Sequence, residues 1–306
     1  MNDPLSDPMK AIMRLNRLDP RRTSFEDLKR EMSEIANGII AVSDGTRSEV
    51  FFRARKDMVS RPVNISELGP PPADKVIDYH RCNGPGEPMF YTGSRRVTAL
   101  LEIRVKPGDI VYLSQWVGRG DGVGINVTLH PSTEIPQDNP WFEKSKVILS
   151  YFDTLFTRRI HKTYSDDYRF TAAIAAFLTT NLPVNTASGS IVYENFALRY
   201  ASVVDLERSY NTVFHPEHVR KLRPLHVAEI RIDEVDEYSV SATLLDNALK
   251  FTSSGDIVWT GDLTLFPSYK TKNGNVLYKH DGIKQWNVNT MDKNLSDDEF
   301  NQILNE

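Results

Sequence analysis

The sequence predicts a mixed α+β protein, a β-sheet core flanked by helices, with one helix added before it and a β-hairpin extension after it. Three observations carry that expectation. The run Glu49-Val-Phe-Phe-Arg-Ala-Arg55 alternates apolar and polar residues after Phe51, the period of a half-buried strand. Residues 141–160 and 166–182 hold the two longest helical patterns, and YRFTAAIAAFLTTNL in the second is apolar enough for a central core helix. Residues 236–295 alternate β-favouring runs with turn signals at Ser253-Ser-Gly255, Asn273-Gly274 and Asp281-Gly282, as hairpins laid against a main sheet do.

Taken in order, residues 1–22 are polar and Pro-containing, and are expected to gain order only by packing on something. Thr23 and Glu26 stand in capping-box spacing ahead of Phe25, Leu28, Met32 and Ile35 at helical intervals, and Asn37-Gly38 supplies a stop. A helix this short needs a surface to dock on. Arg53 and Arg55, two apart on the first strand, share one face. The segment from Arg61 to Asp74, with Pro62 and Pro70-Pro71-Pro72, reads as a loop across one edge of a site. Pro88 to Tyr91 is a short strand. Thr98 to Ile103 is the end of a helix running into a strand at Ile103–Val105, and Ile110–Leu113 resumes β structure. Val117 to Asn126 is glycine-spaced but lacks the strand-then-helix context of a phosphate loop, and reads as a mobile surface loop. Strands follow at Ser190–Tyr193 and Val227–Ile232, and Ser296 and Glu299 suggest a final short helix. The expected divisions are 1–48, a polar segment and amphipathic helix; 49–235, the main domain; and 236–306, a β-rich extension packed on it.

Composition narrows the function classes. A formal net charge of -4 and 40% hydrophobic residues suit an ordinary globular chain and argue against a dedicated nucleic-acid or anionic-membrane surface. No apolar run approaches the roughly 20 residues needed to span a bilayer, and MNDPLSDPMK lacks the features of a secretory signal. One cysteine, Cys82, leaves no intrachain disulfide and no cysteine-based zinc cage. His215-Pro-Glu-His218 lacks a strong third ligand and is interrupted by Pro216, so no metal is expected. The expected setting is cytoplasmic.

The densest chemistry lies in YHRCNGPGEPMFYTGSRRVTALLE, from Tyr79 to Glu102. Arg81 sits in a turn-forming run, Cys82-Asn83-Gly84-Pro85-Gly86. A strand ending at Tyr91 follows, then a helix that delivers Glu102. An arginine and a glutamate separated in this way can converge on one cleft. These residues resemble the core of the RES domain, a family with an "RxN…pG…YxS…tAlxE" pattern named for an arginine, a glutamate and a serine. Phe52-Arg53-Ala54-Arg55 resembles its opening "yRar" strand, Gly189-Ser-Ile-Val-Tyr193 its "GixYpS" strand, and Tyr210-Asn211 to Phe214-His-Pro216 the strand after it. The match covers residues 49–232.

The resemblance implies an ADP-ribosyltransferase-like split sheet and a bacterial toxin, the partner of a cognate antitoxin protein. Such a toxin consumes NAD by cleaving the nicotinamide–ribose bond, with water or inorganic phosphate as acceptor. It carries the family arginine onto Arg81, the glutamate onto Glu102, the tyrosine onto Tyr91 and the first-strand arginine onto Arg53. Asn83 and Tyr193 fall among the expected NAD-binding residues. The serine does not carry over. Asn195 occupies its slot if the strand is in register, with Ser202, Ser209 and Asn211 as alternatives. The chemistry suits these residues. A carboxylate beside the sugar favours an oxocarbenium-like state, and guanidinium forks suit a diphosphate. Backbone N–H groups around Gly84–Gly86 can add donors, and Tyr91 offers a ring to nicotinamide and a hydroxyl to the ribose. Two rivals keep the same cleft: transfer of ADP-ribose to a macromolecule, or a catalytically silent module that binds a nucleotide or partner. Nothing in these readings forbids a homo-oligomer.

Overall fold

Strands are the frame of the structure, a computed structural model that describes residues 7–36, 50–118, 129, 138, 140–179, 197–204, 209–237 and 239–261. It also describes the backbone of short strands at 42–45, 125–128, 182–186, 189–193, 195–196 and 285–287. In chain order the elements are α1 (Pro8–Asn16), α2 (Phe25–Ala36), β1 (Val42–Gly45), β2 (Val50–Lys56), β3 (Phe90–Gly93), α3 (Arg96–Glu102), β4 (Ile110–Gly118) and β5 (Ile125–Thr128). They continue with α4 (Phe142–Thr157), α5 (Arg169–Leu178), β6 (Leu182–Thr186), β7 (Gly189–Tyr193), β8 (Asn195–Ala201), β9 (Tyr210–Phe214) and α6 (Pro216–Val219). The last are β10 (Leu222–Val235), β11 (Val240–Phe251), β12 (Ile257–Trp259) and β13 (Gln285–Asn287).

The mixed α and β character expected from the sequence is present. The main sheet runs β1-β5-β8-β9-β3-β2-β4-β10-β11-β12, with β13 also on β11, and β6 and β7 form a separate hairpin. Every pairing is antiparallel except β5 with β8. One join differs from the rest. β2 meets β3 through a single partner pair, Phe52 and Gly93, whereas β2 pairs with β4 from Val50 to Lys56. The sheet therefore parts into two halves at β2/β3, and the interstrand ladder is replaced there by side chains. Phe51 and Trp116 from one half meet Phe90 and Phe214 from the other, with ring centroids 4.9 Å apart for Phe51–Phe214 and 5.2 Å for Phe90–Trp116. Edge-to-face contacts of this kind add about 0.5–1.5 kcal/mol each beyond the area they bury.

Each half has its own helical cover. α3 buries Val97, Ala99 and Leu100 against Phe52, Ala54, Val111 and Leu113. α1, α2, α4 and α5 form the other cover, placing Leu15, Leu28, Met32, Phe152, Phe156 and Ile174 over Leu198, Tyr200 and Val213. Among the described residues no helix is long and apolar enough to cross a membrane.

Local differences from the sequence reading have local causes. Residues 8–16, expected to lack order of their own, form α1, because Asp7 accepts the N–H of Met9, Pro8 suits the first helical position, and Ile12 and Leu15 find a core. The cap of α2 is one residue later than expected. Ser24 Oγ accepts from Asp27 N at 3.1 Å and donates to the Asp27 carboxylate at 2.6 Å. The segment after α3 is a turn, not a strand at 103–105: Arg104 has φ 53° and Gly108 φ 91°, left-handed backbone that no strand accommodates. The glycine-spaced segment enters as strand, since β4 runs to Gly118; residues 119–124, the stop at Asn37-Gly38, the turns at 273–274 and 281–282 and the helix at 296 lie outside the described residues. The extension after residue 235 continues the main sheet, with β11 paired along β10 from Val227 to Val235.

Candidate active site

Where the two half-sheets part, a cleft with a cavity volume of about 80 Å3 opens, lined by Arg53, Tyr91, Glu102, Tyr200 and Asn211 over an apolar floor that includes Phe52 and Ala99. Close packing sets the carboxylate wall. A Cβ on Gly93 would stand 3.0 Å from Ala99 N and 3.1 Å from Thr98 Cβ, so glycine lets β3 run against the first turns of α3. Ser94 then ties the chain to β9, donating its N–H to Tyr210 O and accepting Tyr210 N–H on Oγ. α3 ends at Glu102 because Arg104 turns left-handed two residues later.

Glu102 is exposed at the cleft, but half of its carboxylate is fixed. Ser202 Oγ donates to Oε1 at 3.0 Å, and Asn211 Nδ2 donates to the same oxygen. Among the described residues nothing donates to Oε2. The donors arrive together for a geometric reason. Tyr200 and Ser202 are two apart at the end of β8, and Asn211 is the cross-strand partner of Tyr200, so all three fall on one face. Ser202 and Asn211 are themselves buried, at 8% and 5% exposure, which makes them rigid holders.

Arg53 also lines the cleft. Its guanidinium donates to three backbone carbonyls: Leu68 at 2.9 Å through Nε, Tyr91 at 2.9 Å through Nη1 and Gly69 at 3.0 Å through Nη2. The bond to Tyr91 spans the gap between β2 and β3, standing in for the missing ladder. The guanidinium also lies 4.8 Å from the centroid of Phe90. Burial, and then the charge of Arg55, pushes Arg53 down to about 9, which leaves it charged at neutral pH. Among the described residues no carboxylate pairs with it, and its three bonds to carbonyls use three of its five N–H groups. Arg55 donates to Glu67 O and does not line the cleft.

Arg81 is elsewhere. It donates to Phe156 O and to Arg158 O (3.2 Å), and its guanidinium lies 5.2 Å from the ring of Tyr168 and 5.8 Å from that of Tyr200. It caps the C-terminal end of α4, where carbonyls lack helical partners and a cation is favoured. The expected convergence of Arg81 with Glu102 is replaced by contact through Tyr200. The glycine turn is also committed to itself. Gly84 N–H goes to the Glu87 carboxylate and Gly86 N–H to Val76 O, which removes the donors expected for a diphosphate.

Tyr91 brings its ring to the cleft, but its hydroxyl is used in the turn. It donates to Asn83 Oδ1 at 2.6 Å and accepts Cys82 N–H at 3.0 Å, so it is not free for a ribose. Burial pushes the Tyr91 and Tyr200 phenols well above their usual value. Asn83, buried at 3%, builds the turn and holds Tyr91, and does not line the cleft. The side chains of Tyr193 and Asn195 lie outside the described residues; the backbone of Tyr193 ends β7 and that of Asn195 begins β8, opposite Ile125. Tyr200 was not singled out from the sequence, and the Glu102 holders Ser202 and Asn211 stood only as alternatives to Asn195. Their signal was a second Tyr-x-Ser, Tyr200-Ala201-Ser202, immediately before the strand that carries Asn211. The chain matches no protein-family model and no curated protein.

Proposed function

We propose that this chain is an NAD-consuming enzyme of the RES type, which breaks the nicotinamide–ribose bond and passes the ADP-ribosyl group to water or inorganic phosphate. The observation that carries the reading is the state of Glu102: one carboxylate oxygen held by Ser202 and Asn211, the other without a donor among the described residues, in a cleft that Arg53 also lines. In the reaction the bond between the ribose carbon and the pyridinium nitrogen breaks, and its electron pair leaves with neutral nicotinamide. Positive charge grows on the ribose carbon. The open oxygen of Glu102 meets that charge or holds a ribose hydroxyl, and fixing the other oxygen removes the cost of reorienting the carboxylate during the reaction. The acceptor oxygen then bonds to the ribose carbon, and water gives up a proton to solvent. Arg53 holds the diphosphate through its two remaining N–H groups. The ring of Tyr91 or Tyr200 supports nicotinamide.

Two further points support the family reading. The narrow β2/β3 join fits an ADP-ribosyltransferase-like split sheet. Tyr200-Ala201-Ser202 repeats the Tyr-x-Ser of the family strand and brings a serine to the glutamate, which makes Ser202, in place of Asn195, the family serine in this proposal. The antitoxin partner and the cytoplasmic setting belong to the same proposal and rest on the sequence motifs alone. The test is purified protein with NAD, with and without phosphate, followed by nicotinamide release. Release that vanishes in Glu102→Gln is the expected result. NAD that survives intact sinks the proposal, and label transferred to a macromolecule replaces it with the transferase alternative.

A further inference from the structure

The loop at residues 57–69 leaves β2 at Asp57, which has φ 59°, and returns along the other side of Arg53. Its far side is fastened to the hairpin of β11 and β12. Ile257 N–H donates to Val63 O and Ile65 N–H to Gly255 O, both at 2.8 Å. Asn64 Nδ2 donates to Ser254 O and to the Asp256 carboxylate, and Trp259 Nε1 to Pro62 O at 3.0 Å. Arg61 is the clasp. It pairs with Glu229 at 2.9 Å and with Asp246, and its guanidinium lies 4.0 Å from the centroid of Trp259. The near side of the same loop supplies the carbonyls of Leu68 and Gly69 to Arg53 and that of Glu67 to Arg55. A continuous chain of contacts thus runs from the C-terminal hairpin through the loop to one wall of the cleft.

We infer that Arg61 is a positioning residue: with the β11–β12 hairpin it fixes the loop whose carbonyls orient the Arg53 guanidinium, so the extension after residue 235 is part of the support of the cleft. Three hydrogen bonds set the plane of a guanidinium, and two of the acceptors sit on this loop. An arginine plane that wanders cannot present its remaining N–H pair to an anion in fixed geometry. The effect falls on binding more than on the bond-breaking step, because Glu102 is held from β8 and β9 in the other half-sheet.

The decisive measurement is the exchange rate of the Arg53 Nε–H proton with water, read by NMR in the full chain. Its signal is assigned by its absence in Arg53→Lys. In Arg61→Ala that proton should exchange about tenfold faster or more, together with the amide of Ile65, as local opening becomes easier. Arg61→Lys should recover part of the loss, since it keeps the charge but not the planar stack on Trp259. Trp259→Phe, which keeps a ring and loses only the bond to Pro62, serves if Arg61→Ala does not fold and should shift both protons by a smaller factor. The second arm rests on the NAD reading: KM for NAD should rise roughly tenfold in Arg61→Ala, with kcat changed by less than about twofold. A faster Ile65 amide with an unchanged Arg53 Nε–H overturns the inference, as does no change in either proton. If the wild-type protein leaves NAD intact, the functional reading fails, and the Nε–H rate still decides this one.

Discussion

Glu102 reaches the cleft from the end of a helix with one oxygen bonded and one open, whereas Arg53 reaches it from the middle of a strand with three N–H groups already on backbone carbonyls. Glu102 is exposed, and its two bonds need only one oxygen, so its charge can be removed with small structural cost. The arginine wall is both ligand surface and masonry. Its side chain bridges the two half-sheets, and any change there moves stability and binding together. Function and architecture are separable at one wall of this cleft and merged at the other.

The sharpest way to break that comparison is Glu102→Gln. Glutamine keeps an oxygen for Ser202 and Asn211 but removes the charge, and loss of one such electrostatic contact typically lowers kcat by about 10²–10³. Thermal midpoint should stay within about 2 °C, as expected for an exposed substitution. A variant that retains more than about half of wild-type turnover would remove Glu102 from catalysis. Arg53→Lys tests the other wall and should fail on both counts. An ammonium cannot bond all three carbonyls at once, so stability should drop by roughly 1–3 kcal/mol, and KM should rise about tenfold or more. Arg81→Lys is its control. Arg81 caps α4 away from the cleft lining, so this change should cost stability while KM stays within about threefold; a larger rise in KM would return Arg81 to the site.

Ser202→Ala and Asn211→Ala sharpen the comparison within the carboxylate wall. Each removes one donor to Oε1, and each should lower kcat by roughly 10- to 100-fold, the kinetic worth of one hydrogen bond to a charged group. The double variant should lose less than the product of the two, because both act through the same oxygen. A simple product would mean that they act apart.

The last test concerns pH and lies away from both walls. His226 is fully buried on β10, and burial, followed by the charge of Arg96, pushes it from its usual value down to about 3. Between that value and the unfolded value near 6.5 the unfolded chain holds a proton that the folded chain does not. Stability should therefore rise with pH from about 3 to about 6.5 and be lost as pH falls through that window, by at most about 1.4 kcal/mol per pH unit for one proton. Urea unfolding of His226→Gln, followed across that range, should give a flatter dependence; an unchanged slope would assign the pH effect to other groups.

How far the sequence foretold this depends on what each residue answers to. β2, the start of β4, α4 and the middle of β10 were legible because hydrophobic period is local. Glu102 was legible because its helix and its motif are contiguous. The role of Arg81 was not, since it depends on the end of α4, some 75 residues away, reaching the same place. Asn195 was chosen over Ser202 because two runs, Tyr193-Glu-Asn195 and Tyr200-Ala-Ser202, compete for one pattern, and only the fold brings Ser202 beside Glu102, next to the Tyr200–Asn211 pair. α1 was missed because its two core residues, Ile12 and Leu15, are too few to stand out among polar neighbours.

The single cysteine has a practical use. Cys82 is 3% exposed, and burial pushes its thiol up to about 12, so at neutral pH roughly one molecule in 10⁵ carries the reactive thiolate even where reagent can reach it. The native protein should be silent to alkylating agents over hours, while the unfolded chain reacts at once. Mass added at Cys82 then becomes a clock for the opening of the turn that holds Tyr91. Because the rest of the chain has no thiol, a dye placed on an introduced surface cysteine would report on the cleft without a background to subtract.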